Sequence, residues 1–245
     1  PQDRESHTFC IVKTKKGETV KHGGKSPTEF LKYLKNVDFA WVNFEVKDMA
    51  IDGPKVAEKL GFTPLLVSNL LSEEFSTYED IESELGLLLP ATYVKNFEVY
   101  INKLIILIKG NVILTLHNQK ISRFLKLSRY AGTIFKKIPK NILKQDKISH
   151  LLIRIIDENN ERNFDGLRKI QEQGEIVSRY LVEPSPKRKD IGQSIYKMKA
   201  ALLTYLESLW SSLDVVQYLR YGDPDSLTDD SKILQQIGLL GSDLT

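Results

Sequence analysis

Two acidic stretches hold the side chains of this sequence that are best suited to chemistry. EEFSTYEDIESE carries Glu73, Glu74, Glu79, Asp80, Glu82 and Glu84, and GDPDSLTDD carries Asp223, Asp225, Asp229 and Asp230. Carboxylates at this density suit hard cations such as Mg2+, which take oxygen ligands and keep several of their waters. The plainer reading of each stretch is a solvated acidic face. The second stretch resembles a calcium loop at Asp223 and Asp225, but Leu227 stands where a third oxygen ligand is expected. Asp225 or Ser226 reads there as a helix cap, with Asp229 and Asp230 complementing the positive helix N-terminus.

Other reactive residue types lead nowhere. His7, His22, His117 and His150 have no zinc spacing, and neither CxxC nor HExxH occurs. TVKHGGKS, Thr19 to Ser26, imitates a phosphate-binding loop. The pattern needs glycine five residues before its second glycine, and Thr19 stands there. The following SPTE explains the segment better as a helix start, with Ser26 as N-cap, Pro27 at the first helical position and Glu29 completing a capping box. Cys10, the single cysteine, lies in a strand-like run and reads as a small buried hydrophobe. It excludes an intramolecular disulfide and fits a reducing compartment. No enzymatic chemistry has a visible carrier.

The elements that must position these residues fall into two halves. HTFCIVKT, ETVKHGG, FAWVNFEV, LGLLLPATYV, FEVYIN, KLIILIK and NVILTLH read as strands, with Lys109-Gly110-Asn111 as a tight turn between the last two. SPTEFLKYLKN, GPKVAEKLGF and PLLVSNLLSEE read as short helices. From Ile121 the pattern is helical throughout. The expected division is an α/β sandwich domain over 1–146 and a helical hairpin with a stalk helix over 147–245, forming one continuous unit. The boundary is the basic connector KKIPKNILKQDK, Lys136 to Lys147.

The first long helix, Ile148 to Leu181, has apolar positions at Ile148, Leu152 and Ile155 and again at Leu167, Ile170, Val177 and Leu181. Its middle, DENNERN from Asp157 to Asn163, is polar. At 1.5 Å per residue the rod is roughly 50 Å long, beyond the usual globular range. EPSPKRK turns the chain through Pro184 and Pro186. The next helix carries a 4-3 seam at Ile191, Ile195, Met198, Leu202, Tyr205, Leu209, Ser212, Val216 and Leu219, with Ser212 its one polar member. Two such helices form an antiparallel hairpin.

The 35 basic and 32 acidic residues give a net charge of +3, spread along the chain, so no nucleic-acid partner is expected. The tip PKRK, Pro186 to Lys189, is a short basic turn of the usual solvated kind. No apolar run reaches the roughly 20 residues of a membrane span. The chain begins with Pro1, which suggests a fragment or a processed protein.

Several local matches, in this order along the chain, resemble the CorA-type magnesium transporters. They are WVNFE (Trp41 to Glu45), LGFTPLLVSNLL (Leu60 to Leu71), KGNVILTLH (Lys109 to His117) and SHLLIRIID (Ser149 to Asp157). The resemblance implies an α+β fold: an α/β/α sandwich with a mixed, largely antiparallel sheet, then long helices. It implies that SKILQQIGLLGSDLT, Ser231 to Thr245, begins the stalk that enters the membrane as the pore helix. The family's Gly-Met-Asn signature and both spans are absent, so the chain reads as the cytosolic fragment of a plasma (inner) membrane protein. The basic-proline motif usual after the helix pair is replaced by FSTYED, Phe75 to Asp80, which also admits Zn2+, Co2+ or Ni2+ as the ion.

The implied function is Mg2+ sensing between the protomers of a homopentamer. The resemblance places the metal ligands at Asp80, Glu82 and Glu84 and, on the stalk, Asp243. The isolated piece is expected to be monomeric if the missing spans hold the protomers together. Competing readings are a soluble scaffold whose hairpin binds a partner helix, and the cytosolic domain of a related zinc transporter.

Overall fold

The computed structural model describes residues 8–118, 124–182 and 188–244. Its elements are β1 (Phe9–Thr14), β2 (Thr19–Gly23), α1 (Pro27–Leu34), β3 (Val37–Val46), α2 (Met49–Lys59), α3 (Pro64–Ser72), β4 (Thr77–Ile81), β5 (Glu84–Lys95), β6 (Glu98–Lys109), β7 (Val112–Asn118), α4 (Phe124–Lys137), α5 (Lys144–Val182), α6 (Arg188–Tyr221) and α7 (Ser231–Ser242). The strands form one sheet in the order β2-β1-β3-β7-β6-β5-β4. Every neighbouring pair is antiparallel except β3 and β7. The expected α/β/α sandwich with a mixed, largely antiparallel sheet is therefore what forms.

Helices cover both faces, which explains why the central strands read as unbroken apolar runs. In β3, Phe39 and Trp41 enter the core beneath α4–α7, whereas Ala40, Val42 and Phe44 enter the core beneath α1–α3. Residues 104–108 of β6 are likewise fully buried. Gly86 in β5 lets α3 approach closely, since a Cβ there would meet the Leu70 and Leu66 side chains at 2.8 and 2.9 Å. Cys10 is buried, and burial pushes its thiol pKa up to about 12, so it is the inert hydrophobe expected.

Local corrections have identifiable causes. FEVYIN and KLIILIK are one strand, β6, because it pairs continuously with β5 from Glu84↔Lys109 to Lys95↔Glu98. Acidic residues hide a short edge strand, β4, whose pairing with β5 supplies what its composition does not. The turn between β6 and β7 forms as expected, with Gly110 at φ +59° and the Asn111 amide donating to the Val37 and Asp38 carbonyls. At α1, Ser26 is the N-cap residue but its hydroxyl pairs with Thr28, and Glu29 accepts from the Lys25 N–H instead of closing a capping box. Asp230, rather than Asp225 or Ser226, caps α7, accepting from Lys232 N and Ile233 N, because the helix begins at Ser231.

Helix α5 is longer than its apolar pattern, running 39 residues from Lys144, or about 58 Å. Its extra first turn is anchored by Lys147, whose ammonium holds both oxygens of Asp38 at 2.8 and 3.0 Å. The polar middle of α5 turns inward. β4 pairs with β5 only as far as Leu88. Just beyond, the Asn159 and Asn163 amides both donate to the Pro90 carbonyl at 3.0 Å, and Asn163 Oδ1 accepts from Thr92 N at 2.9 Å. Both asparagines are buried. They lie four residues apart on one helix face and supply the hydrogen bonds that β4 is too short to give.

The seam of α6 is buried from Tyr205 through Leu209, Val216 and Leu219, while Ile195 is 40% exposed. Ser212 fits within the seam by bonding the Ser208 carbonyl one turn back at 3.1 Å. Farther out, the two long helices pack on each other, so that a Cβ on Gly174 would meet Met198 Sδ at 2.9 Å. Pro184 and Pro186, expected to make the turn, lie outside the described residues.

Replacing Asn163 with alanine strands the Thr92 N–H in the core. It is expected to cost about 2 kcal/mol, more than Asn159→Ala, which leaves Pro90 a second donor. Urea unfolding of the two variants checks the order.

Candidate metal site

The acidic stretch after α3 folds into the β4–β5 hairpin, and its carboxylates part company there. Asp80 is exposed on edge strand β4 and accepts a 2.6 Å hydrogen bond from the Tyr218 hydroxyl of α6. The Tyr218 ring stacks on Tyr78 at 3.7 Å. Burial and the Asp80 carboxylate both push the Tyr218 pKa up. Glu82 occupies the turn with φ +43° and its side chain faces solvent.

Glu84 begins β5 and points inward, 4% exposed. Its oxygens accept from Thr63 N at 2.9 Å and Thr63 Oγ1 at 3.1 Å and pair with Lys109 Nζ at 2.7 Å. Thr63 is the N-cap residue of α3 and makes no side-chain cap of its own, so Glu84 supplies the acceptor that this helix start lacks. Burial alone would raise the Glu84 pKa, but the hydrogen bonds from Lys109 and Thr63 outweigh it and the pKa falls. Glu84 is thus engaged within its own chain.

Asp243, the C-cap residue of α7, is exposed at a different place. It lines a groove of about 790 Å³ between α4, α5 and α7, together with His150, Arg154, Asp157 and Glu161. The groove floor is apolar, through residues such as Leu127, Ile153 and Leu240. Partial burial raises the Asp157 pKa; Arg154 opposes this, and the charges of Asp243 and Glu161 add to it. Carboxylates that repel one another in this way favour a cation between them. Sequence reasoning missed Asp157 and Glu161 because they belong to the DENNERN stretch, read there only as a polar interruption.

The second acidic stretch holds a carboxyl pair, with Asp229 raised by its hydrogen bond to Asp223. Leu227, where a calcium loop needs oxygen, is buried in the core. Among the described residues no group of three or more His, Cys, Asp or Glu is arranged to hold a metal ion within the chain. The carboxylates at Asp80, Glu82 and Asp243 suit a hard, hydrated cation chemically, but this chain does not bring them together as a cage.

The profile of CorA-like Mg2+ transporter proteins matches residues 36–238. The chain belongs to this family. Its fold is that of the soluble domain of CorA from Methanocaldococcus jannaschii, with a TM-score of 0.70 at 18% identity over 97% of this chain and 88% of that one. Complete CorA from the same organism aligns with TM-score 0.74 at 18% identity, over 97% of this chain and 69% of that one. The ZntB cytoplasmic domain from Vibrio parahaemolyticus aligns with TM-score 0.63 at 14% identity, over 98% and 91% of the two chains. No curated protein sequence matches. No helix among the described residues of this CorA-like chain is long and apolar enough to cross a membrane.

Because the Glu84 pKa is lowered on folding, its contribution is complete above its ordinary value of 4.5 and is lost as pH falls through the lower folded value. Glu84→Gln is therefore expected to lower stability at pH 7 and to flatten the acid limb of the stability curve. Thermal melts between pH 3 and 7 read both effects.

Proposed function

We propose that this chain is the cytosolic sensing and gating domain of a CorA-like Mg2+ transporter, assembled as a homopentamer. Divalent cations bound by carboxylates between protomers would regulate the pore. The observation that carries this reading is the exposed Asp243 at the end of α7, beside the mutually repelling Asp157 and Glu161. Arg154, 3.9 Å from Asp157, offsets part of this repulsion, and a bound cation shared with a neighbour would offset the rest. Glu82 and Asp80, exposed on the β4–β5 hairpin, are the groups that a neighbouring protomer would offer, Asp80 through the carboxylate oxygen that Tyr218 does not hold. Glu84 stands behind them, holding the hairpin to α3.

Occupancy would turn repulsion across the interface into a bridge and favour one symmetric assembly. Loss of the cation would release the protomers and bias α7 towards the open pore. The lever would be the stack of α5, α6 and α7, with membrane spans following α7 in the whole transporter. The fold shared with the ZntB cytoplasmic domain supports a second reading, in which Zn2+ is the ion.

Mg2+ at ten times its Kd is expected to stabilise the chain by about 1.4 kcal/mol or to drive its association. Asp243→Ala should abolish the response. Thermal melts and sedimentation with Mg2+ and Zn2+ check this and rank the ions. An unchanged melt and mass at millimolar concentrations of both, with no effect of Asp243→Ala on transport by the intact protein, would sink the reading.

A further inference from the structure

A second concave site lies on the opposite side of the sheet from the groove, where α1 and α2 diverge above the C-terminal end of β3. The crevice has a volume of about 320 Å³ and is lined by Lys25, Lys47, Lys55 and Lys59. The four lysines come from three separate segments: the turn before α1, the residue just after β3, and one face of α2. All four are exposed, and among the described residues none is in an ion pair. Lysines on a mixed-charge surface usually have carboxylates interspersed among them. Four gathered around one hollow, none of them in an ion pair, raise its potential.

Two carboxylates share the crevice. Asp52 is turned to the start of α2, where it accepts from Asp48 N at 3.1 Å. Glu45 is half-buried near the end of β3. The formal balance is four positive charges against two negative, so a net attraction for anions remains. Pro27, Val46 and Val56 wall the crevice with apolar surface.

We propose that this crevice binds an oligophosphate, either free or as the phosphate chain of a nucleotide. A single phosphate carries only about two negative charges, fewer than the four ammonium groups that line the crevice. A chain of two or three phosphates carries enough charge for four ammonium groups, each acting as a point charge needing no bidentate geometry. The recess favours a small anion over a flat anionic membrane, which would meet the rim lysines without entering the hollow. The site is independent of the carboxylates around Asp243, because it lies on the α1–α3 face and the groove lies on the α4–α7 face.

The test is calorimetric titration of the chain with inorganic triphosphate, ATP and inorganic phosphate at 50 and 200 mM salt. Triphosphate is expected to bind saturably at one site, more weakly at high salt, and at least tenfold tighter than phosphate. Equal affinity for ATP assigns recognition to the phosphates alone, and tighter ATP binding shows that the apolar wall holds the nucleoside. Lys55→Gln/Lys59→Gln should weaken binding at least tenfold with an unchanged melting temperature. Lys15→Gln/Lys16→Gln, which removes exposed lysines of the β1–β2 turn, should leave it intact. Absence of saturable binding, equal loss in the two double variants, or binding only to vesicles containing anionic lipid would overturn the proposal.

Discussion

The attachment of α5 to strand β5 is the contact on which the architecture turns. β4 ends opposite Leu88, and β5 runs on to Lys95 with polar backbone groups that the edge strand does not reach. Pro90 has no N–H to offer, which suits a position beyond the edge strand. Its carbonyl and the Thr92 N–H are met by Asn159 and Asn163. These bonds are buried and specific, so they fix the rotation and the axial position of a 39-residue helix more tightly than apolar contact could. With α5 fixed, α6 packs along it and α7 follows in the groove beside it. The lever of the proposed sensor is thereby tied to the sheet here, as it is at its start where Lys147 holds Asp38 of β3.

The same division between structural and available carboxylates runs through the acidic surface. Glu84 is held by Lys109 and by Thr63, the N-cap residue of α3, and Asp230 caps α7. Asp38 anchors the start of α5 through Lys147. Among those that remain exposed, Glu82 stands at a turn and Asp243 at a helix end. A carboxylate already satisfied by protein donors resists recruitment by a weak, largely hydrated cation. The free ones are the groups left for ligands or neighbours.

Periodicity made much of this readable in advance. The three short helices, the inner part of the α6 seam from Tyr205 to Leu219 and most of the strands are properties of consecutive residues, and they formed where expected. β4 was not readable, because Thr77–Ile81 is polar and is a strand only through its partner. Glu84 could not be told from its neighbours Glu82 and Asp80, since a one-residue change of direction decides which side chain enters the core. Asp157 and Glu161 escaped for the opposite reason. They share a helix with asparagines that face inward, and sequence alone read the whole stretch as one polar block.

The amino-acid sequence thus determined most of the strands and helices, β4 excepted, and that a long helical hairpin would follow the strand-rich half. These outcomes depend on the spacing of apolar side chains, which is local and written in order. Tertiary structure decided which polar groups bury, which carboxylates are spent on capping and pairing, and which lysines gather around one hollow. Those depend on residues brought together from distant positions, where the free energy of a charge is set by neighbours that its own segment does not contain.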